Sequence, residues 1–283
     1  MAVNWLKVHY LIFGYVHVPR VINTKKIFEL RNFLDNSTHK KNKFIYANAF
    51  YENKLHKFFL DKKIVDTCRS IFGKNFLFSN GGSVQHDNYG IYKTKNGMLA
   101  GVHIDSDFQF FLKDKQVTNF TYKFAKLGIY LQDSEEKSNV LVLPGSHIFA
   151  RLFGKFYINK LYLFVLKAAQ LLWKHSSFQA LCRPNLRAGD ALIFDCLLIH
   201  SSDFSTKKRL KKKYVLYTEV GDYKSMINFI DNNVRPRAKL ELESKEINRL
   251  FSRDPNRYNK QLYLAKYMHN FLPKKFLKFF YTE

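Results

Sequence analysis

Two segments of this chain carry side chains able to bind a metal. One contains His103-Ile104-Asp105, and the other ends far along the chain at His200. Residues 98–108 read as a β-strand. Side chains on a strand alternate with period two, so residues 103 and 105 share a face. A histidine and an aspartate so placed can take adjacent positions on one ion, and His200 brings a second imidazole from a distant strand. Two imidazoles and one carboxylate leave three positions of an octahedron open. Non-haem Fe(II) oxygenases use that ligand set, filling the open positions with cosubstrate and O2. The spacing alone is a weak signal, since a solvated histidine and aspartate on a β edge look the same. Asp107 shares the face of Asp105 and is a rival ligand, and His86-Asp87-Asn88 is a nearby decoy with poorer spacing.

Such a site needs a scaffold, and the sequence supplies signals for one. Residues 24–35 predict a helix capped by Thr24, with Ile27, Leu30 and Leu34 on one face. Residues 61–72 predict another: Asp61 caps, Ile64, Val65, Cys68, Ile71 and Phe72 form the stripe, and Gly73 stops it. The period then changes. Short β-like runs occupy 83–92, 98–108, 123–133, 140–143, 190–200 and 213–220, separated by Lys-Asn-Gly and Asp-Ser-Glu-Glu punctuation. Strands on both sides of an insertion suggest a sandwich or double-stranded β-helix with helices outside. The fold class is therefore α+β, with a jelly-roll or cupin-like core, packed helices and a helical C-terminal extension. One domain is expected over 1–283. It has an N-terminal helical part at about 1–79, a catalytic core at about 80–220 and a basic extension at about 221–283, broken by Pro236, Pro255 and Pro273.

Composition narrows the class further. The 283 residues are 46% hydrophobic and 17% aromatic, which excludes a disordered chain. The formal net charge is +24, a field that favours nucleic acid, an acidic membrane surface or a phosphorylated substrate. Cys68, Cys182 and Cys196 make no CxxC and no even framework, so a reducing compartment is expected. Residues 8–18 are apolar only in patches, too broken for a secretory signal, and no uncharged run reaches spanning length. A cytoplasmic protein is expected, with peripheral contact at the inner face of the membrane.

Three blocks, in order, carry a family resemblance: VHIDSD (102–107), LGIYLQDSEEKSNVLVLPGSH (127–147) and LRAGDALIFDCLLIHSS (186–202). Together they resemble the phytanoyl-CoA dioxygenase-like family of iron and 2-oxoglutarate oxygenases, over about residues 80–220. The resemblance implies a double-stranded β-helix and a reaction that couples decarboxylation of 2-oxoglutarate to succinate, with O2, to hydroxylation of an unactivated carbon. It implies Fe(II) held by His103, Asp105 and His200. The intact aspartate sets the chain apart from iron-dependent halogenases. It makes His147 of the PGSH block a turn residue rather than a ligand. It also asks for a cation just after the distal histidine, to hold the far carboxylate of 2-oxoglutarate. Arg209 is the only arginine there, Lys211 or Lys212 fits the strand register about as well, and a basic surface turn is the plain alternative.

The charge has two further concentrations. Residues 155–174, KFYINKLYLFVLKAAQLLWK, are apolar nearly all round, with Lys160, Lys167 and Lys174 at heptad spacing. Residues 266–283 interleave Lys266, Lys274, Lys275 and Lys278 with Phe271, Phe276, Phe279 and Phe280. Lysines among aromatics on an amphipathic stretch compose an interfacial anchor. A helix packed on the core with snorkelling lysine stems has the same composition. The expected substrate is thus an aliphatic or sugar carbon of an anionic, membrane-associated lipid or glycolipid. In outline this is similar to the hydroxylases of the Kdo sugar of lipopolysaccharide. Alternatives are an oxygenase acting on nucleic acid or on a soluble small molecule, and a non-enzymatic basic binding module. Against nucleic acid, no arginine-rich motif follows His200.

Overall fold

The computed structural model describes residues 4–37, 44–45, 55–78, 83–86, 92–93, 99–100, 104, 123–133, 140–153, 168, 171–172, 177–178, 182–202 and 214–229. Its main sheet is antiparallel throughout. The strand order is β1 (Tyr15–Val18), β9 (Ala191–Asp195), β7 (Phe124–Tyr130), β11 (Tyr214–Asp222), β4 (Ser83–His86), β2 (Phe44–Ile45), and β3 (Phe76–Phe78) pairs with the far end of β11. A second sheet pairs β8 (Val140–Val142) with β10 (His200–Ser202), and β5 (Tyr92–Lys93) pairs with β6 (Leu99–Ala100).

Alternation along the strands gives the main sheet two apolar faces. Ala125, Leu127, Ile129, Ile193 and Leu216 face a layer of helices, α2 (Thr24–Ser37) and α3 (Lys62–Phe72). Leu192, Phe194, Val215 and Tyr217, from the same strands, pack with Val140 and Val142 of the second sheet. Two sheets closing on one apolar interior, with helices on the outer face, is the expected α+β, double-stranded β-helix architecture.

The helices follow their sequence signals. Ile27, Leu30 and Leu34 of α2 and Ile64, Cys68, Ile71 and Phe72 of α3 are buried in one cluster. Asp61 accepts from Lys63 N and caps α3, and Gly73, at φ +95°, ends it with its N–H donating to Arg69 O. Thr24 is not the cap of α2. The side chain of Asn23 accepts from Lys26 N at 2.9 Å, which places Thr24 inside the first turn.

Three local expectations change. The patchy apolar run near the N-terminus is a helix and a strand. Asn4 caps α1 (Trp5–Phe13) through Lys7 N, and Gly14, at φ +81°, closes it before β1. The run 190–200 is two strands in different sheets, because the Asp195 carboxylate accepts from Leu197 N and turns the chain after β9. The strand expected over 98–108 is described at Leu99–Ala100, and Ile104 lies in a bend. After β11 comes α5 (Tyr223–Phe229), the described part of the segment expected to be a helical extension. Residues 230–283, with the 266–283 segment, lie outside the described residues.

Candidate active site

His200 opens β10 and lies opposite Val142 of β8. It is 6% exposed, and its ring is tilted against Phe194 at a centroid separation of 5.0 Å. Its Nδ1 lies 2.9 Å from the carbonyl oxygen of Leu198. A carbonyl only accepts, so Nδ1 carries the proton and the ring lone pair falls on Nε2. Metal-ligating histidines are oriented in this way, by donation from the other ring nitrogen. The donor set fits a metal at this point: an imidazole oriented through Nδ1, with Nε2 the ring nitrogen on the other side, on the wall of an apolar interior.

The other expected ligands, His103 and Asp105, lie outside the described residues, as do Asp107, Asp87, Arg209, Lys211 and Lys212. Ile104, between these two expected ligands, is described and is 1% exposed. The decoy His86 ends β4, in the ladder opposite Tyr214.

The Pro144-Gly145-Ser146 corner is a turn, as its composition predicted. Gly145 has φ +79°, and Ser146 N donates to Leu143 O. It leads into α4 (Ser146–Phe153). His147 is buried there, with Nε2 bonded to the Leu11 carbonyl and Nδ1 without a hydrogen-bond partner among the described residues. Burial lowers its pKa, so its ring is neutral at physiological pH. His147 ties α4 to α1.

Several residues of the site's surroundings had no signal in the spacing of histidines and carboxylates. Asp195 is buried against Arg151. Asp190 accepts from Arg187 N and Arg20 N at 2.8 Å each and bonds His17 Nε2 at 2.7 Å, closing the corner before β9. Tyr130 and Tyr217 set their hydroxyls 3.3 Å apart in the apolar interior, and burial raises the Tyr130 phenol. Gly128 makes room for this pair. A Cβ there would stand 2.7 Å from the Tyr217 ring.

The family model for phytanoyl-CoA dioxygenase (PhyH) matches residues 13–209. The chain belongs to the phytanoyl-CoA dioxygenase family. It is therefore a 2-oxoglutarate-dependent dioxygenase, with Fe(II) as cofactor and 2-oxoglutarate and O2 as cosubstrates. The match begins well before residue 80. It takes in β1, whose pairing with β9 makes the N-terminal segment part of the main sheet.

Solved structures agree in fold. The iron-bound crystal structure of EctD from S. alaskensis matches with a TM-score of 0.53 at 13% identity, over 80% of this chain and 78% of that one. HygX from Streptomyces hygroscopicus, with nickel and 2-oxoglutarate bound, matches with a TM-score of 0.52 at 12% identity, over 78% of this chain and 88% of that one. No curated protein matches the chain in sequence. Among the described residues, no helix is long and apolar enough to cross a membrane.

Proposed function

We propose that this dioxygenase is a hydroxylase whose iron is held by His103, Asp105 and His200, and whose substrate is an anionic lipid or glycolipid at a membrane surface. The observation that carries the site is His200, a buried imidazole whose Nδ1–H···O bond to Leu198 leaves Nε2 as its ligating nitrogen. Iron at this position supplies O2 activation, and the overall reaction balances as R–H, O2 and 2-oxoglutarate giving R–OH, succinate and CO2. The chain's own part is to bind, orient and exclude water. His103 and Asp105 complete the ligand face. Arg209, or Lys211 or Lys212 in the alternative register, holds the far carboxylate of 2-oxoglutarate by a charge-assisted bond. Phe194, Val142 and Val215 make the surrounding interior apolar, which strengthens each charge contact inside it.

Two observations support the substrate class. The chain carries +24 formal charges, which suits an anionic leaflet. In addition, α1 turns an apolar stripe to solvent. Trp5, Ile12 and Phe13 follow helical spacing and are exposed, Trp5 to 74%. Leu171 and Leu172, the described leucines of the 155–174 segment, are exposed as well. A tryptophan beside other large apolar side chains on a helix suits the headgroup boundary. Kdo-type sugar carbons of a lipopolysaccharide are one substrate of the proposed class. The test is succinate release from 2-oxoglutarate with acidic lipid or lipopolysaccharide, single-stranded DNA or a panel of soluble acids. Stimulation by the lipid arm alone supports the reading, and stimulation by another arm alone contradicts it.

A further inference from the structure

We propose that Ser146 and the Arg151–Asp195 ion pair are positioning groups that fix the orientation of the His200 ring and thereby set the affinity of the iron site. This inference rests on reading His200 as a metal ligand.

The ring points where the Leu198 carbonyl lets it point, because that oxygen accepts from Nδ1 at 2.9 Å. Leu198 belongs to the turn between β9 and β10, so the geometry of that turn is the geometry of the ligand. The turn is held at almost every residue. Asp195 N donates to Gly14 O at 2.7 Å, and Leu198 N donates to Asp195 O at 2.9 Å. Leu197 N donates to Asp195 Oδ1 at 2.9 Å. Ile199 N donates to Ser146 Oγ at 2.9 Å, and Ile199 O accepts from Leu143 N at 2.8 Å. The Ser146 hydroxyl spends its own proton on Leu143 O at 2.8 Å, so its lone pairs face Ile199 N.

The Asp195 carboxylate is fixed at both oxygens. Oδ1 holds the turn. Oδ2 accepts from the Arg151 guanidinium and lies 3.4 Å from the Tyr10 hydroxyl. The two charged side chains are 6% and 3% exposed. A buried ion pair is a poor way to gain stability, since apolar residues of similar volume often do as well or better. It is a good way to stop a carboxylate rotating. Were Oδ2 released, Oδ1 would no longer be held towards Leu197 N.

Ser146 and Arg151 both lie on α4, directly after β8. The unit β8–α4 therefore grips the His200 hairpin four times: through the Val142 ladder position, Leu143 N, Ser146 Oγ and Arg151. The sequence PGSHIFAR makes this one bracket. Its turn aims the serine and its helix delivers the arginine.

The experiment measures Mn(II) affinity of the full chain, the visible charge-transfer band of the anaerobic Fe(II)–2-oxoglutarate complex and the melting temperature. The variants are Ser146→Ala, Ser146→Thr, Arg151→Met and His200→Ala. Ser146→Ala removes one acceptor and no charge, so it decides the matter should Arg151→Met fail to fold. The expected result is a loss of Mn(II) affinity of roughly tenfold to a hundredfold in Ser146→Ala. Its charge-transfer band shifts, and Ser146→Thr recovers both. A merely structural serine would leave the band in place in the folded variant. Should Ser146→Ala keep wild-type affinity and band while His200→Ala loses both, the positioning inference is overturned and the ligand assignment stands. Should His200→Ala also bind as wild type, the ligand assignment fails and this inference falls with it.

Discussion

Nδ1 of His200 and both oxygens of Asp190 show how single hydrogen bonds place this site. At Asp190 burial pushes the carboxyl pKa up. Donation from His17 and from the N–H groups of Arg20 and Arg187 outweighs it and leaves the group below its ordinary value. The folded pKa is thus lower than the unfolded one. The stabilisation is fully present above the unfolded value of about 3.9 and is lost as pH falls through the folded value. Melting curves at pH 7 and pH 3 should show Asp190→Asn less stable than wild type at pH 7 and losing less on acidification. Equal losses in both would remove Asp190 from the acid response. Cosubstrate binding makes a second test at this scale. Arg209→Ala should weaken 2-oxoglutarate binding by about 1.5–3 kcal/mol, tenfold or more, while metal affinity holds. If Arg209→Ala is silent and Lys211→Ala or Lys212→Ala is not, the cation lies on the next strand's register instead.

Elements divide the labour between stability and chemistry. The helix layer packs on the outer face of the main sheet, and the site's apolar lining belongs to the inner face. Leu34→Ala, at a fully buried position of α2, should cost roughly 2–5 kcal/mol of stability in a denaturant titration. It should leave Mn(II) affinity unchanged in the folded protein, and a parallel loss of affinity would contradict the division. The sequence made much of this readable. The stripe of α3, its Asp61 and Gly73 ends and the runs at 123–133 and 140–143 all folded as their periods predict. Less legible was anything set by tertiary contact. The run ALIFDCLLIH reads as one strand because it is apolar apart from Asp195 and its terminal His200. Its break comes from a side-chain bond of Asp195, which period alone does not register. α1 lies in the part expected to be helical, but its own bounds are not legible although Asn4 and Gly14 bracket it, because a nine-residue stretch interrupted by Lys7 and His9 mixes helix and strand patterns. Gly14 does more than end the helix. A Cβ there would meet His147 Nδ1 at 2.5 Å, so the corner requires glycine for space as well as for φ. Arg151 and Asp195 are distant in sequence, and nothing in their spacing shows that they meet.

At the scale of the whole molecule, a +24 chain with an exposed apolar stripe on α1 should bind acidic vesicles in two ways. The electrostatic part should weaken with salt, since the screening length falls from about 10 Å at 0.1 M to about 3 Å at 1 M. The apolar part should persist. Flotation with acidic liposomes should therefore fall but not vanish at 1 M salt, and Trp5→Ser should reduce what remains. Tight retention of DNA with no liposome binding at low salt would contradict the membrane reading. The account's central claim is narrower, and one titration tests it. Mn(II) affinity is measured for wild type, His103→Ala, Asp105→Ala and His200→Ala, each checked for a cooperative melt. Each variant should lose at least about tenfold in affinity, because a missing imidazole or carboxylate leaves an incomplete ligand face. Wild-type affinity in all three folded variants would show that the metal is held elsewhere.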